Sequence, residues 1–137
     1  FFSYIHSDIV MSDEVEKRAY LNYLETTIAE IVDKFTEKFI RAYDEKVIDP
    51  MAKNPLYKKW MIASILEDAA GMAGTEIIRR TIGDSKVKEI ESIESIEDRV
   101  YMDKFLILLG KSLIKDRYKI KTGKDYVALI DKIKKLI

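Results

Sequence analysis

The sequence predicts an all-α fold, a helical bundle forming a single helical domain over residues 1–137. Three observations predict it: apolar residues recur at three- and four-residue steps over long stretches, strand-like alternation is nowhere sustained, and the two prolines and five glycines fall mostly where helices would end. Size and composition agree with this. A chain of 137 residues fits one domain, and 47% hydrophobic residues suffice for a modest core. The 35% of charged residues makes most of the surface ionic.

The elements follow in order. Phe1 and Phe2 enter an apolar-rich stretch with no capping residue and no Met ahead of them, so the chain is expected to be part of a longer polypeptide. From Asp13, an apolar stripe of Tyr20, Leu24, Ile28, Ile31, Phe35, Phe39 and Tyr43 predicts a long helix of roughly eight turns with one buried face. Ser12 or Asp13 can cap its start, with Glu16 three residues after Asp13. Pro50 and Pro55 mark the clearest break, and Asn54 before Pro55 reads as an N-cap followed by a first-turn proline. The helix that starts there should turn Leu56, Trp60, Ile65, Leu66, Ala69, Ala73 and Ile77 to the core and stop near Ile82, with Gly83 as a left-handed C-cap. Its middle is small: Ala69, Ala70, Gly71, Ala73 and Gly74 let another helix approach closely, at about 1 kcal/mol for each interior glycine. A polar connection with Val87, Ile90 and Ile93 leads to a third long helix, capped by Ser95 with Asp98 three residues on. Its expected core face is Val100, Phe105, Leu108, Leu109 and Leu113. After Gly123, a short last helix gathers Tyr126, Leu129, Ile130 and Ile133 and leaves Lys132, Lys134 and Lys135 outside. Four or five helices are expected.

Charge and composition exclude several functions. Lys plus Arg and Asp plus Glu both number 24, so no overall field draws the chain to nucleic acid or an anionic membrane. From Lys111 onward nine basic residues face three acidic ones, but they interleave with an apolar stripe as a solvated amphipathic face would. The absence of cysteine removes disulfides, thiolate nucleophiles and Cys-ligated zinc, and fits a cytoplasmic location. No apolar run reaches the roughly 18 residues that span a bilayer.

Chemistry of the chain's own is hard to assemble from these residues. There is no glycine-rich phosphate loop after a strand, because Gly71 and Gly74 lie within a helical pattern. His6 is the only histidine, with neither a second His nor a Cys to share a metal, so no metal site is expected and His6 reads as an ordinary helical residue. Neighbouring carboxylates such as Glu67 and Asp68 diverge by about 100° on a helix, which suits capping and ion pairs better than paired catalysis. The segment Leu66 to Gly83 is the exception, since it ends in Arg79 and Arg80. Two readings stay open from periodicity alone: the arginines complement the helix dipole with Glu76 as a partner, or their guanidinium forks bind a phosphate, a carboxylate or hydroxyls in a cleft.

Residues Asp68 through Gly83 resemble a segment of the methylthioribose kinase family: Asp, two residues, Gly, an apolar residue, Ala-Gly, two residues, then an apolar pair, Arg-Arg and a closing Gly. The likeness continues through Val87 to Arg99 and Leu108 to Lys115, and upstream through Tyr4 to Val10 and the long helix to Tyr43. The pattern departs at Met72, where the family carries an aromatic, at Lys86, where it has a His, and at Glu76, where a lysine is common. The resemblance implies a two-lobed, protein-kinase-like enzyme of methionine salvage, dimeric, that uses ATP and magnesium to phosphorylate the 1-hydroxyl of methylthioribose. Choline and aminoglycoside kinases share that general architecture. By the same resemblance, Arg79 and Arg80 contact substrate or the transferred phosphoryl group. The family's ATP-binding lobe, catalytic Asp and metal-binding acids match nothing here, so no catalytic residue is expected in this chain and it should be inactive and bind neither ATP nor magnesium alone. The competing expectation is a non-catalytic helical interaction module whose arginine pair only caps a helix.

Overall fold

The computed structural model describes all residues from Phe1 to Ile137, and the fold is all-α with no strands. Six helices follow in order: α1 (Phe2–Val10), α2 (Glu14–Lys46), α3 (Pro55–Ile82), α4 (Lys88–Glu91), α5 (Ile96–Lys115) and α6 (Gly123–Lys134). A 3₁₀ turn, Arg117–Lys119, joins the last two. This exceeds the expected four or five because the polar connection coils into one turn at α4.

The predicted starts hold at the atomic level. Asp13 accepts hydrogen bonds from the amides of Val15 and Glu16, and Asn54 accepts one from Leu56 ahead of the first-turn Pro55. Ser95 accepts from Asp98, and the Asp125 carboxylate accepts from the amides of Lys121 and Thr122 to fix the start of α6. Gly83 differs from its expected role. Its backbone is extended, no glycine has positive φ, and its amide simply donates to the Arg79 carbonyl. The chain leaves α3 by straightening instead of by a left-handed turn.

Helix α5 is the hub. Met102, Phe105, Leu106, Leu109 and Leu113 are fully enclosed, with α1, α3 and α6 packed around them. Apolar burial at about 25 cal/mol per Å² makes these side chains the main source of stability. The α3–α5 contact depends on two glycines facing each other. A Cβ on Gly74 would sit 2.5 Å from the Gly110 carbonyl oxygen, and one on Gly110 would sit 2.8 Å from that of Gly74. The small-residue stretch therefore serves close helix packing, as its composition predicts. A second tight approach presses Gly123 onto the backbone of Ala29, while its amide donates to Asp33 at 2.8 Å, joining α6 to α2.

Three predicted faces need correction. In α2 the inward line runs through buried Leu21 and half-buried Leu24, Ile28 and Val32, leaving Tyr20, Ile31 and Phe35 exposed. Of the expected core positions in α3, Leu66 and Ile77 are buried and Ile65 and Ala73 half-buried, but Leu56, Trp60 and Ala69 face solvent, and Ala70, Gly74 and Thr81 are buried in their place. Val100 of α5 is likewise exposed. The cause is common to all three: a stripe is buried only where a neighbour covers it. The C-terminal part of α2 and the N-terminal part of α3 extend past the hub and meet mainly at their tips, where Tyr43 donates to the Ala52 carbonyl at 2.6 Å and Lys58 pairs with Asp44 at 2.6 Å. No helix is long and apolar enough to cross a membrane.

Candidate functional site

The C-terminal half of α3 carries the candidate site because its packing on α5 leaves one face to solvent. With Ala70, Gly74, Ile77 and Thr81 turned inward, the 3.6-residue period turns Asp68, Met72, Thr75, Glu76 and Arg79 outward. Six of these and neighbouring residues, Asp68, Met72, Thr75, Glu76, Ile114 and Arg117, line an open groove of about 780 Å³ between α3 and the end of α5, floored by Gly71 and Ala73. That is within the size of small-molecule sites, roughly 300–1,000 Å³.

Arg79 and Arg80 converge on one carboxylate at the end of this face. Glu76 accepts from Arg79 Nε at 2.8 Å and Nη2 at 2.7 Å, and from Arg80 Nε at 2.8 Å. Arg80 Nη1 also donates to the Ser85 hydroxyl at 3.0 Å, tying the helix end to the following turn. The two arginines, placed first and second in its surroundings, hold the Glu76 carboxyl down to about 2. One acid against two guanidiniums leaves a net charge of +1. Nη1 of Arg79 and Nη2 of Arg80 make no hydrogen bond within the chain, so each guanidinium keeps N–H donors unused. Neither arginine lines the groove itself; Glu76 stands between them and it.

Helical periodicity points to the arginine pair but not to the clamp, in which one carboxylate accepts from both guanidiniums. It also missed Arg117, whose lone position in a basic stretch carries no periodic signal and whose place in the groove comes from the 3₁₀ turn. Other charged groups are structural. Arg99 donates to the Ile90 carbonyl at 2.7 Å and lies 3.5 Å from Asp103, joining α5 to α4. In the basic tail, Lys119, Lys121 and Lys134 pair with Asp116, Glu67 and Asp8. His6 shares a 3.0 Å hydrogen bond with Ser92. No three acidic or histidine side chains gather closely enough to hold a metal ion.

No protein-family profile matches the chain. Individual proteins do. A methylthioribose kinase of Bacillus pumilus is 34% identical over 95 residues, 69% of this chain and 24% of that protein. One of Bacillus cereus is 36% identical over 106 residues, 77% of this chain and 26% of the relative. A third, of Citrobacter koseri, is 37% identical over 89 residues, 65% and 22% of the two chains. The chain thus spans about a quarter of the length of the curated relatives it matches. Over most of its own length, this helical chain is a homologue of the methylthioribose kinases.

Proposed function

We propose that the chain is the substrate-side helical part of an ATP-dependent sugar kinase, with methylthioribose as substrate and Arg79 and Arg80 as its ligands. The observation that carries the reading is the clamp. A single carboxylate fixes the orientation of both guanidiniums while leaving each an unused N–H donor and the cluster an excess positive charge. Such preorganised donors suit hydroxyls or a phosphoryl group, whose negative charge the extra cation offsets. In a complete enzyme, ATP with magnesium would supply the phosphoryl group. The residues here bind and orient; the base that takes the substrate's hydroxyl proton belongs to parts that match nothing in this chain. A homodimer in the cytoplasm is part of the same proposal.

Replacing Arg79 or Arg80 by Ala in the enzyme that contains this chain should reduce methylthioribose phosphorylation by about a hundredfold or more, with thermal stability nearly unchanged. Unaltered turnover in both variants rejects the reading. The competing interaction-module reading predicts only a slight loss of helix stability, about 1 kcal/mol or less, from the same substitutions.

A further inference from the structure

The irregular stretch between α3 and α4 sets a hydroxyl against the arginine clamp. Ser85 is exposed there; its Oγ accepts from Arg80 Nη1 at 3.0 Å, and its carbonyl accepts from the same nitrogen at 3.3 Å. The backbone amides of Asp84, Ser85, Lys86 and Val87 donate no hydrogen bond to the main chain. The stretch can therefore be drawn into the extended form that a modifying enzyme needs without breaking the ladder of either flanking helix. Of the serines outside the helices, Ser12, Ser85, Ser92 and Ser95, only Ser85 is hydrogen-bonded to a guanidinium; Ser95 caps α5 and Ser92 contacts His6.

A phosphate on that hydroxyl would meet complementary charge. Phosphoserine carries a charge of about −1.5 to −2 and three acceptor oxygens, and beside an arginine cluster it forms roughly one to three charge-assisted hydrogen bonds. The clamp offers two guanidiniums against one carboxylate, with donors unused on Arg79 Nη1 and Arg80 Nη2. Next to Ser85 in the chain, exposed Lys86 adds a cation and exposed Asp84 an opposing anion. We propose that Ser85 is a phosphorylation site whose phosphate engages Arg80 and reverses the sign of the clamp, withdrawing the arginines from their ligand. A serine-modifying enzyme that uses a nucleoside triphosphate supplies the group. The Ser85 oxygen attacks the γ-phosphorus, the Oγ–P bond forms as the bond from that phosphorus to the β–γ bridging oxygen breaks, nucleoside diphosphate leaves, and the hydroxyl proton passes to a base of the modifying enzyme. Capture of the phosphate rests on the contact between Ser85 and Arg80; its effect on turnover rests on the kinase reading.

The enzyme that contains this chain, synthesised with phosphoserine at position 85, tests this against its unphosphorylated form. For methylthioribose phosphorylation, kcat/KM should fall about tenfold or more, and phosphatase treatment should restore it. The same group at Ser12, which is exposed ahead of α2, should leave kcat/KM unchanged. By phosphorus NMR, the second ionisation of the Ser85 phosphate should lie below its usual value of about 6, because the guanidinium favours the dianion, and should return toward that value in Arg80→Ala. An ionisation at the usual value, one that Arg80→Ala does not move, or Ser85 unmodified in enzyme isolated from its own growing and starved cells overturns the site. Unchanged turnover divides by the arginine variants. Where Arg79→Ala and Arg80→Ala are impaired, it overturns the switch; where both are normal, the kinase reading fails, and a lowered ionisation leaves the captured phosphate standing.

Discussion

Helix α3 runs for 28 residues under one capping scheme, but its two halves have different surroundings. In the C-terminal half, Leu66, Ala70, Gly74, Ile77 and Thr81 meet α5 and are buried. In the N-terminal half, Leu56 is 76% exposed and Trp60 60% exposed, and Trp60 packs chiefly on Tyr57 one turn away, with ring centroids 5.5 Å apart. Both halves have apolar residues at helical spacing. What separates them is the neighbour: small residues on α3 and Gly110 on α5 allow backbones to meet in one half, while no helix runs alongside the other. Hydrophobic periodicity therefore reports which face would be buried, and contact decides whether it is.

The contrast can be broken first at its most buried point. Ile77 is 3% exposed, and Ile77→Ala should cost about 3 kcal/mol by removing apolar contacts and leaving a cavity. Denaturant unfolding at unchanged m-value measures it. A loss below about 1 kcal/mol would mean that the α3–α5 contact is looser than the geometry requires. Next comes Gly74→Ala, where two effects oppose. Replacing glycine within a helix gains about 1 kcal/mol of propensity. The new Cβ, however, would stand 2.5 Å from a backbone carbonyl of α5 and 2.9 Å from Ile114, and a backbone cannot yield as a flexible side chain does. Separating the helices should win, for a net loss of about 2 kcal/mol in the same assay.

At the open end, Asn54→Ala should cost about 1 kcal/mol by freeing the Leu56 amide from its cap. Trp60→Ala should cost less, about 0.5 kcal/mol, because most of the ring already faces water. A Trp60 variant as damaging as Ile77→Ala would show that something covers this half in solution. The pair of measurements thus decides whether the two halves differ as drawn.

Much of this was legible in the residues, for identifiable reasons. Helix starts were readable because caps are local: Asp13, Asn54 and Ser95 each act within three residues. The close approach at Gly74 was readable because only small residues permit it, and the face of α6 because Tyr126, Ile130 and Ile133 all have a covering neighbour. Burial of Trp60 and Phe35 was misjudged because the sequence does not state which neighbour passes a given face. The Gly83 ending was misjudged because glycine permits a left-handed cap without requiring one. Of the candidate site, Arg79 and Arg80 were visible as a motif. Arg117 was not, since the 3₁₀ turn that carries it to the groove lies on another element and is placed by tertiary packing.

The smallest expected effect lies at the C-terminal end of α3, where function and packing are closest. Glu76 is half-exposed and held to about 2 by Arg79 first and Arg80 second, against an ordinary value of 4.5. A carboxyl depressed on folding contributes stability above its unfolded pKa and loses it as pH falls through the folded value. The contribution should therefore be complete at neutral pH and decline between about pH 4.5 and pH 2. Side-chain carboxyl NMR of Glu76 should show a midpoint near the lower limit, moving toward 4.5 in Arg79→Ala and less in Arg80→Ala, in the order of the two bonds. Because the clamp is open to water, global stability should hardly respond, while both guanidiniums lose their common anchor. A midpoint at the ordinary carboxylate value in the unmodified chain would mean that the arginines are not held together, and the preorganisation on which the kinase reading stands would be gone.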